Sequence, residues 1–287
     1  MSEQISQNIR KSSSLQSCRV IFDITFRRTV RSRKTVFILI VAFLPVLLAV
    51  CYRILGRDVR PEQPFSRVLT MSPVQALSLM IPFFLQFLSV LVALFYGTAL
   101  LADEIDSRTI IHLFTRPVRK HSIILGKFAA YILEAFIILI PPMVLTFLII
   151  ATHSGMSRSF ADSLSIFGKQ LGVTVLALMV YGTIFTFFGA RLKRPVLFGL
   201  LFAFGWEKMA MAVPGVVRKF SVIHYLMSVF PGGTPVRGFT TGRGFLKLSE
   251  VAGPSGTVFS IVMLLAITII FFGLSVFTIY QKEYRFE

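Results

Sequence analysis

Charged residues are scarce in this sequence, and acidic ones are fewer than basic ones. Of the 287 residues, 15% are charged, 55% are hydrophobic and 30 are phenylalanines. A typical soluble protein has about 25% charged residues, so the composition excludes an ordinary soluble domain. Of the two cysteines, Cys18 precedes the first apolar run and Cys51 lies near the far end of that run. About one membrane thickness separates them, which excludes a disulfide between the two.

The sequence also lacks the motifs of the common enzyme classes. It contains no H-E-x-x-H and no G-x-S-x-G motif. The Gly-Lys pairs at 126–127 and 168–169 lack the earlier glycine that completes a phosphate-binding loop. The sequence therefore predicts that the chain is not an enzyme and does not hydrolyse ATP on its own. We expect no catalytic, cofactor-binding or metal-binding residues in it, and the lack of converging polar residues in the apolar runs argues against an intramembrane enzyme.

The sequence contains a set of long apolar runs. Stretches without Asp, Glu, Lys or Arg cover 35–52, 68–102, 135–157, 170–190 and 251–281. A helix needs about 20 such residues to cross a hydrocarbon core of about 30 Å, and barrel strands are much shorter. With a less uniform run from Pro195, these runs predict an all-α polytopic membrane protein with six transmembrane helices.

We place the spans at about 35–54, 73–100, 128–151, 168–190, 195–213 and 254–279. They form a transmembrane domain of residues 35–287, which follows a cytoplasmic N-terminal segment of residues 1–34.

Charged residues well inside the predicted spans are scarce. Glu134 lies about a turn and a half into the third span. It is a proton-binding or substrate-binding group, or it lies near the inner interface or pairs with a basic neighbour. Glu207 and Lys208 interrupt the fifth run. We expect one span with this pair at its far end, where water at the interface solvates it, and a short or broken helix is the alternative.

The distribution of Lys and Arg predicts the orientation in the membrane. With the N-terminus inside the cell, the inner segments hold 18 of the 30 basic residues, and the short loop 191–194 alone holds three. An even number of spans then puts both termini in the cytoplasm, and we expect the inner (plasma) membrane. No apolar run precedes Thr35, so nothing resembles a cleavable signal. The basic residues lie at membrane edges, facing lipid headgroups, and do not predict nucleic-acid binding despite a net charge of +17.

Two segments outside the spans have amphipathic patterns. On a helix before the first span, Phe22, Phe26 and Val30 share one side, and Arg27 and Arg31 lie on the other. This pattern is typical of an interfacial helix, and a basic flank that only sets topology is the alternative. Between spans 5 and 6, one helical face carries Val222, Tyr225, Leu226, Val229 and Phe230. We expect a short helix that rests on the outer leaflet or dips into it.

The most polar segment lies between spans 2 and 3. Residues 101–127 read LADEIDSRTIIHLFTRPVRKHSIILGK and contain eight charged residues. Ile110, Ile111, Leu113 and Phe114 form an apolar face, while the acidic residues and Arg108 remain solvated. A short amphipathic helix of this kind fits a groove on a soluble partner, and a merely solvated connection is the alternative. We expect Pro117 to break this helix and Lys127 to mark the entry of the third span at the headgroups.

This segment resembles the signature that follows the second span in type-2 membrane subunits of ATP-binding cassette (ABC) transporters. The matching parts are DEIDSRTI at 103–110, LFTRPVR at 113–119 and ILGK at 124–127. The likeness includes the nitrous-oxide-reductase-maturation permease group. Two positions depart from the pattern, since Arg108 precedes Thr109 where many members have glycine, and Lys120 stands where the arginine of the proline turn falls.

The resemblance implies a permease subunit, most simply of an exporter, with a cytoplasmic coupling helix seated on a separate ABC ATPase subunit. ATP and magnesium are then expected on that partner, and a second permease subunit, identical or not, completes the pathway, which spans 2 and 5 line. The implied docking residues are Asp103, Glu104, Asp106, Arg108, Thr109, Ile111, Leu113, Phe114, Arg116 and Pro117. The alternative is a membrane anchor or force-transmitting subunit of the same architecture that transports nothing.

Overall fold

The computed structural model describes residues 19, 21–27, 29, 32–55, 72–106, 120–153, 156, 158–213, 216–230 and 256–281. Within these residues every regular element is helical, which confirms the all-α prediction. Six of the described helices are long and apolar enough to cross a membrane, as predicted.

Four spans are single continuous helices. Span 1 is Arg33–Leu55, span 3 is Lys120–Ala151, span 4 is Phe160–Arg191 and span 6 is Thr257–Gln281. Span 3 remains helical through Pro141 and Pro142. Span 4 begins at Phe160 rather than at about 168, because the helix continues past the charged residues near its start.

Spans 2 and 5 are helices interrupted by π turns. Span 2 consists of Pro73–Phe83, Ser89–Val92 and Thr98–Asp106, joined by the π turns Phe84–Leu88 and Ala93–Gly97. Span 5 consists of Pro195–Leu200, the π turn Leu201–Trp206 and Glu207–Ala212. Span 5 is therefore one continuous helical path with a π turn, not a short or broken helix.

Local sequence explains where several helices begin. Span 2 starts with a capping box, in which Ser72 Oγ accepts from the Gln75 amide at 3.4 Å and Gln75 Oε1 accepts from the Ser72 amide at 3.1 Å. Pro73 occupies the first helical position, where a missing N–H costs nothing. Pro195 begins span 5 in the same way.

Span 4 lies at the centre of the bundle. Of the residues in its most apolar stretch, 61% are buried, whereas only 11% are buried in the corresponding stretch of span 6. Glycines permit the closest helix contacts. A Cβ at Gly189 would lie 2.5 Å from the carbonyl oxygen of Thr98 in span 2, and one at Gly199 would lie 2.3 Å from Leu94 Cδ1. Spans 4 and 5 therefore both pack directly on span 2.

Two elements outside the spans complete the description. After span 5 come a 3-10 turn, Val216–Phe220, and a helix, Val222–Val229, which we name the outer helix. The outer helix does not simply rest on a surface, since its first five residues are all buried. Residues 21–27, before span 1, are helical.

Candidate functional site

The candidate site is the end of the bundle at which spans 2 and 3 carry the charged loop. Span 2 ends at Asp106 and span 3 begins at Lys120, so Asp103, Glu104 and Asp106 belong to the last turns of span 2. The other predicted docking residues lie outside the described residues, and the coupling helix remains a prediction. These residues are Arg108, Thr109, Ile111, Leu113, Phe114, Arg116 and Pro117.

Lys127 joins the two helices that support the loop. Its side chain is 2% exposed, and its Nζ donates to the carbonyl oxygen of Leu100 at 3.1 Å. We expected this lysine to mark the entry of span 3 at the headgroups, but it is buried. A cation near the end of span 2 is favourable because the carbonyl end of a helix carries partial negative charge. Spans 2 and 3 are thus linked close to the loop.

Spans 1 and 4 hold the same part of span 2. The Tyr96 hydroxyl donates to Thr35 Oγ1 of span 1 at 2.9 Å. On another side, Gly189 of span 4 lies against the backbone of Thr98. Buried polar groups and close packing of this kind resist sliding. The base of the loop is therefore fixed to three neighbouring spans.

Glu134 of span 3 is the buried acid nearest to this region. Its side chain is 3% exposed and its Oε1 has no hydrogen-bond partner. The hydroxyl groups of Thr29 and Tyr96 lie nearby, but each donates to another oxygen atom. Glu134 is thus buried in the bundle, and its role as a proton-binding or substrate-binding group, as a residue near the inner interface or as a partner of a basic residue stays a prediction.

Thr29 also connects the N-terminal segment to the bundle. Its carbonyl oxygen accepts from Thr35 Oγ1 at 2.6 Å, and its hydroxyl donates to the carbonyl oxygen of Thr25 at 2.9 Å. The residues before span 1 are therefore attached to the first turn of span 1, and Thr29 lies near Glu134 of span 3.

The described part of the N-terminal segment has the predicted helical periodicity. The rings of Phe22 and Phe26 stack with centroids 6.0 Å apart and are partly buried. Arg27 is exposed, and its Nε lies 3.2 Å from Asp23 Oδ1. Val30 and Arg31 fall outside the described residues. The interfacial position of this helix remains a prediction.

Sequence reasoning missed a second buried acid, Glu207 of span 5. We expected water at the interface to solvate Glu207 and Lys208. Lys208 is exposed, but Glu207 is 0% exposed and its carboxylate is hydrogen-bonded to the start of the outer helix. Ser221 before an apolar helix was a visible capping signal, but nothing in the pattern indicated which acid it would contact.

The geometry defines a class of protein, and a comparison identifies the family. A bundle of six apolar spans, with a polar loop whose base is fixed to several of them, is a polytopic helical membrane protein. Residues 19–287 match the model of the ABC-2 family transporter proteins, and the chain belongs to this family. A search of curated proteins gave no match.

Family membership confirms the broader part of the resemblance. The family is a membrane component and not an ATP-binding domain, and it indicates a permease subunit of an ABC transporter that works with an ABC ATPase subunit. The likeness to the nitrous-oxide-reductase-maturation permease group remains a prediction.

Proposed function

We propose that this chain is the permease subunit of an ABC exporter, and that loop 107–119 receives the work of ATP hydrolysis from a separate ATPase. The observation that supports this most strongly is the fixed base of the loop. Lys127 links span 3 to span 2, and these are the two helices that carry the ends of the loop. A force on the loop therefore moves these two helices together instead of bending one of them.

The packing of the bundle offers a route from the loop to the other spans. Span 2 contacts span 4 at Gly189 and span 5 at Gly199. The rings of Phe87 in span 2 and Phe204 in span 5 lie 5.9 Å apart. Movement of span 2 is thus transmitted to both neighbours, which supports spans 2 and 5 as the pair that lines the pathway.

The π turns favour the same two spans. Among the described residues, π turns occur in spans 2 and 5 only. A π turn within an α-helix is rare and is frequent at functional sites. It provides a place where a helix changes its local winding without breaking, as a span that lines a changing pathway must.

The remaining parts of the assembly follow from the same proposal. ATP and magnesium bind the partner ATPase, and a second permease subunit, a copy of this chain or a relative, completes the pathway. Span 5 supports this, because large apolar side chains such as Leu197, Leu201 and Met209 are exposed in the single chain. The protein lies in the inner membrane with both termini in the cytoplasm, and the N-terminal helix lies at the inner interface.

The proposal is tested by co-purification of the ATPase with loop variants. We expect the triple variant Ile111→Asp, Leu113→Asp, Phe114→Asp to lose the ATPase, because charge removes the apolar face that a groove would bind. The measurement is the amount of ATPase recovered, at equal yield of the membrane chain, through a tag on the chain.

A matched control places the same kinds of change on the opposite side of the membrane. The control variant carries Val59→Asp, Phe65→Asp and Leu69→Asp. These residues belong to the segment between spans 1 and 2, which the predicted orientation puts outside the cell. This variant should retain the ATPase. Full recovery of the ATPase with the loop variant would rule out docking through 107–119.

A further inference from the structure

Glu207 owes its buried position to the π turn of span 5. Its backbone N–H donates to the carbonyl oxygen of Phe202, five residues earlier, and so closes the last π-type turn. One residue of an α-helix corresponds to about 100° of rotation, so the extra residue in a π turn redirects every later side chain. The carboxylate of Glu207 points into the bundle, whereas Trp206 and Met209 are 42% and 61% exposed.

The Glu207 carboxylate accepts three hydrogen bonds from the start of the outer helix. Ser221 Oγ donates to Oε2 at 2.5 Å, the Val222 amide donates to Oε1 at 3.1 Å, and the Ile223 amide donates to Oε2 at 3.3 Å. The first amides of a helix have no partner within the helix. Ser221 stands at the N-cap position, but its own side chain makes no capping bond. Glu207 therefore caps a helix that belongs to a different segment.

The outer helix also packs along span 6 and touches span 2. Gln86 Nε2 of span 2 lies 3.8 Å from Met227 Sδ, and the rings of Tyr225 and Phe259 of span 6 lie 6.3 Å apart. Apolar contacts have no preferred direction and permit sliding, whereas bonds to a buried carboxylate do not. Breaking the hydrogen bonds to Glu207 would leave a buried carboxylate without partners, which is strongly unfavourable.

We propose that Glu207 is a positioning residue that fixes the outer helix to span 5, so that the two move as one unit against span 6 during the transport cycle. This inference rests on the proposed function, because the cycle supplies the movement. Docking of the ATPase on loop 107–119 does not involve Glu207, so this role is separate from the docking. Displacement that starts at the inner loop is in this way carried by span 5 to the outer mouth of the bundle.

The link itself is tested by hydrogen exchange of the chain alone, in lipid nanodiscs. In Glu207→Ala we expect the amides of Val222 and Ile223 to exchange at least about tenfold faster than in the wild type. Glu207→Gln keeps one acceptor oxygen and should give a smaller increase, which keeps the test valid if the alanine variant fails to fold. Met209→Ala, on the exposed side of the same helix, is the control and should exchange like the wild type. Exchange in both Glu207 variants equal to that of the control would overturn the proposal.

The movement is tested in the complex with the ATPase by distances between spin labels. In a background without Cys18 and Cys51, one pair joins Met209, on the same helical piece of span 5 as Glu207, to Phe220, next to the outer helix, and a second pair joins Val258 of span 6 to Phe220. Trapping with ATP and vanadate should change the second distance and leave the first unchanged, and Glu207→Gln should allow the first distance to change as well. A first distance that changes as much as the second in the wild type, or two constant distances, would overturn the proposal.

The two proposals fail in different ways. Loss of the proposed function appears as absence of the ATPase from the purified complex. The exchange experiment needs no ATPase and reports on the link alone.

Discussion

Gly189 stands at a close contact between the backbones of spans 2 and 4. A Cβ there would lie 2.5 Å from the Thr98 carbonyl oxygen, a backbone atom that has no side-chain freedom to move away. Gly168, in the same helix, has no atom within 4 Å of its Cβ position. The two glycines therefore separate the effect of packing from the effect of helix propensity.

We expect Gly189→Ala to lower the melting temperature and Gly168→Ala to leave it unchanged or raise it. Both changes gain helix propensity of about 0.5–1 kcal/mol. Only the change at Gly189 forces two helices apart, at a cost of about 1–3 kcal/mol. Thermal unfolding of the two purified variants in the same detergent measures the difference. Equal melting temperatures would show that this contact is not tight.

At the residue scale, the sequence indicated which residues are unusual but not what they contact. Lys127 and Glu207 are both visible as charges next to or within apolar runs. Their partners, Leu100 and Ser221, lie 27 and 14 residues away along the chain. The periodicity of a single segment contains no information about a partner in another segment, so both residues were expected at water and both are buried.

At the scale of single elements, the outer helix contains a group that makes its stability depend on pH. Burial lowers the pKa of His224 below its usual 6.5, and the nearby cations Arg218 and Lys219 lower this pKa further. The unfolded segment therefore binds a proton more readily than the folded one. This contribution to stability is complete above about pH 6.5 and is lost as the pH falls toward the lowered pKa.

We expect the exchange protection of residues 222–229 to fall when the pH is lowered from about 7.5 to about 5.5, after correction for intrinsic exchange rates. His224→Gln should show a clearly smaller fall, because its side chain does not titrate. Glu207, which faces the start of this helix, is present in both proteins, so the difference between them isolates the histidine. An identical fall in both would contradict this assignment.

The helices themselves were the most predictable elements. Six apolar runs sufficed to predict six spans, because the thickness of the hydrocarbon core sets a minimum length. The π turns of spans 2 and 5 could not be predicted, since the residues in Leu201–Trp206 are ordinary for a membrane helix. The outer helix was predicted from its apolar face, but its burial depends on contacts with spans 2, 5 and 6.

At the scale of the whole molecule, burial is uneven among the spans. In the most apolar stretches of spans 2 and 4, 50% and 61% of the residues are buried. In those of spans 1 and 5, 28% of the residues are buried. The less buried spans expose apolar side chains that lipid or a second subunit covers. The central spans are fixed to one another near the loop, and the outlying spans expose large apolar surfaces. This arrangement fits a subunit that moves within a larger assembly.

The central claim is that this chain works with a separate ATPase, and the mass of the intact complex tests it most directly. The complex should be purified from native membranes through a tag on this chain at its natural level, and weighed by native mass spectrometry. We predict an assembly that contains two permease subunits, identical or related, and an ATP-hydrolysing subunit. The variant with aspartate at Ile111, Leu113 and Phe114 should no longer retain the ATP-hydrolysing subunit. An assembly that contains this chain but no ATP-hydrolysing subunit would contradict the account.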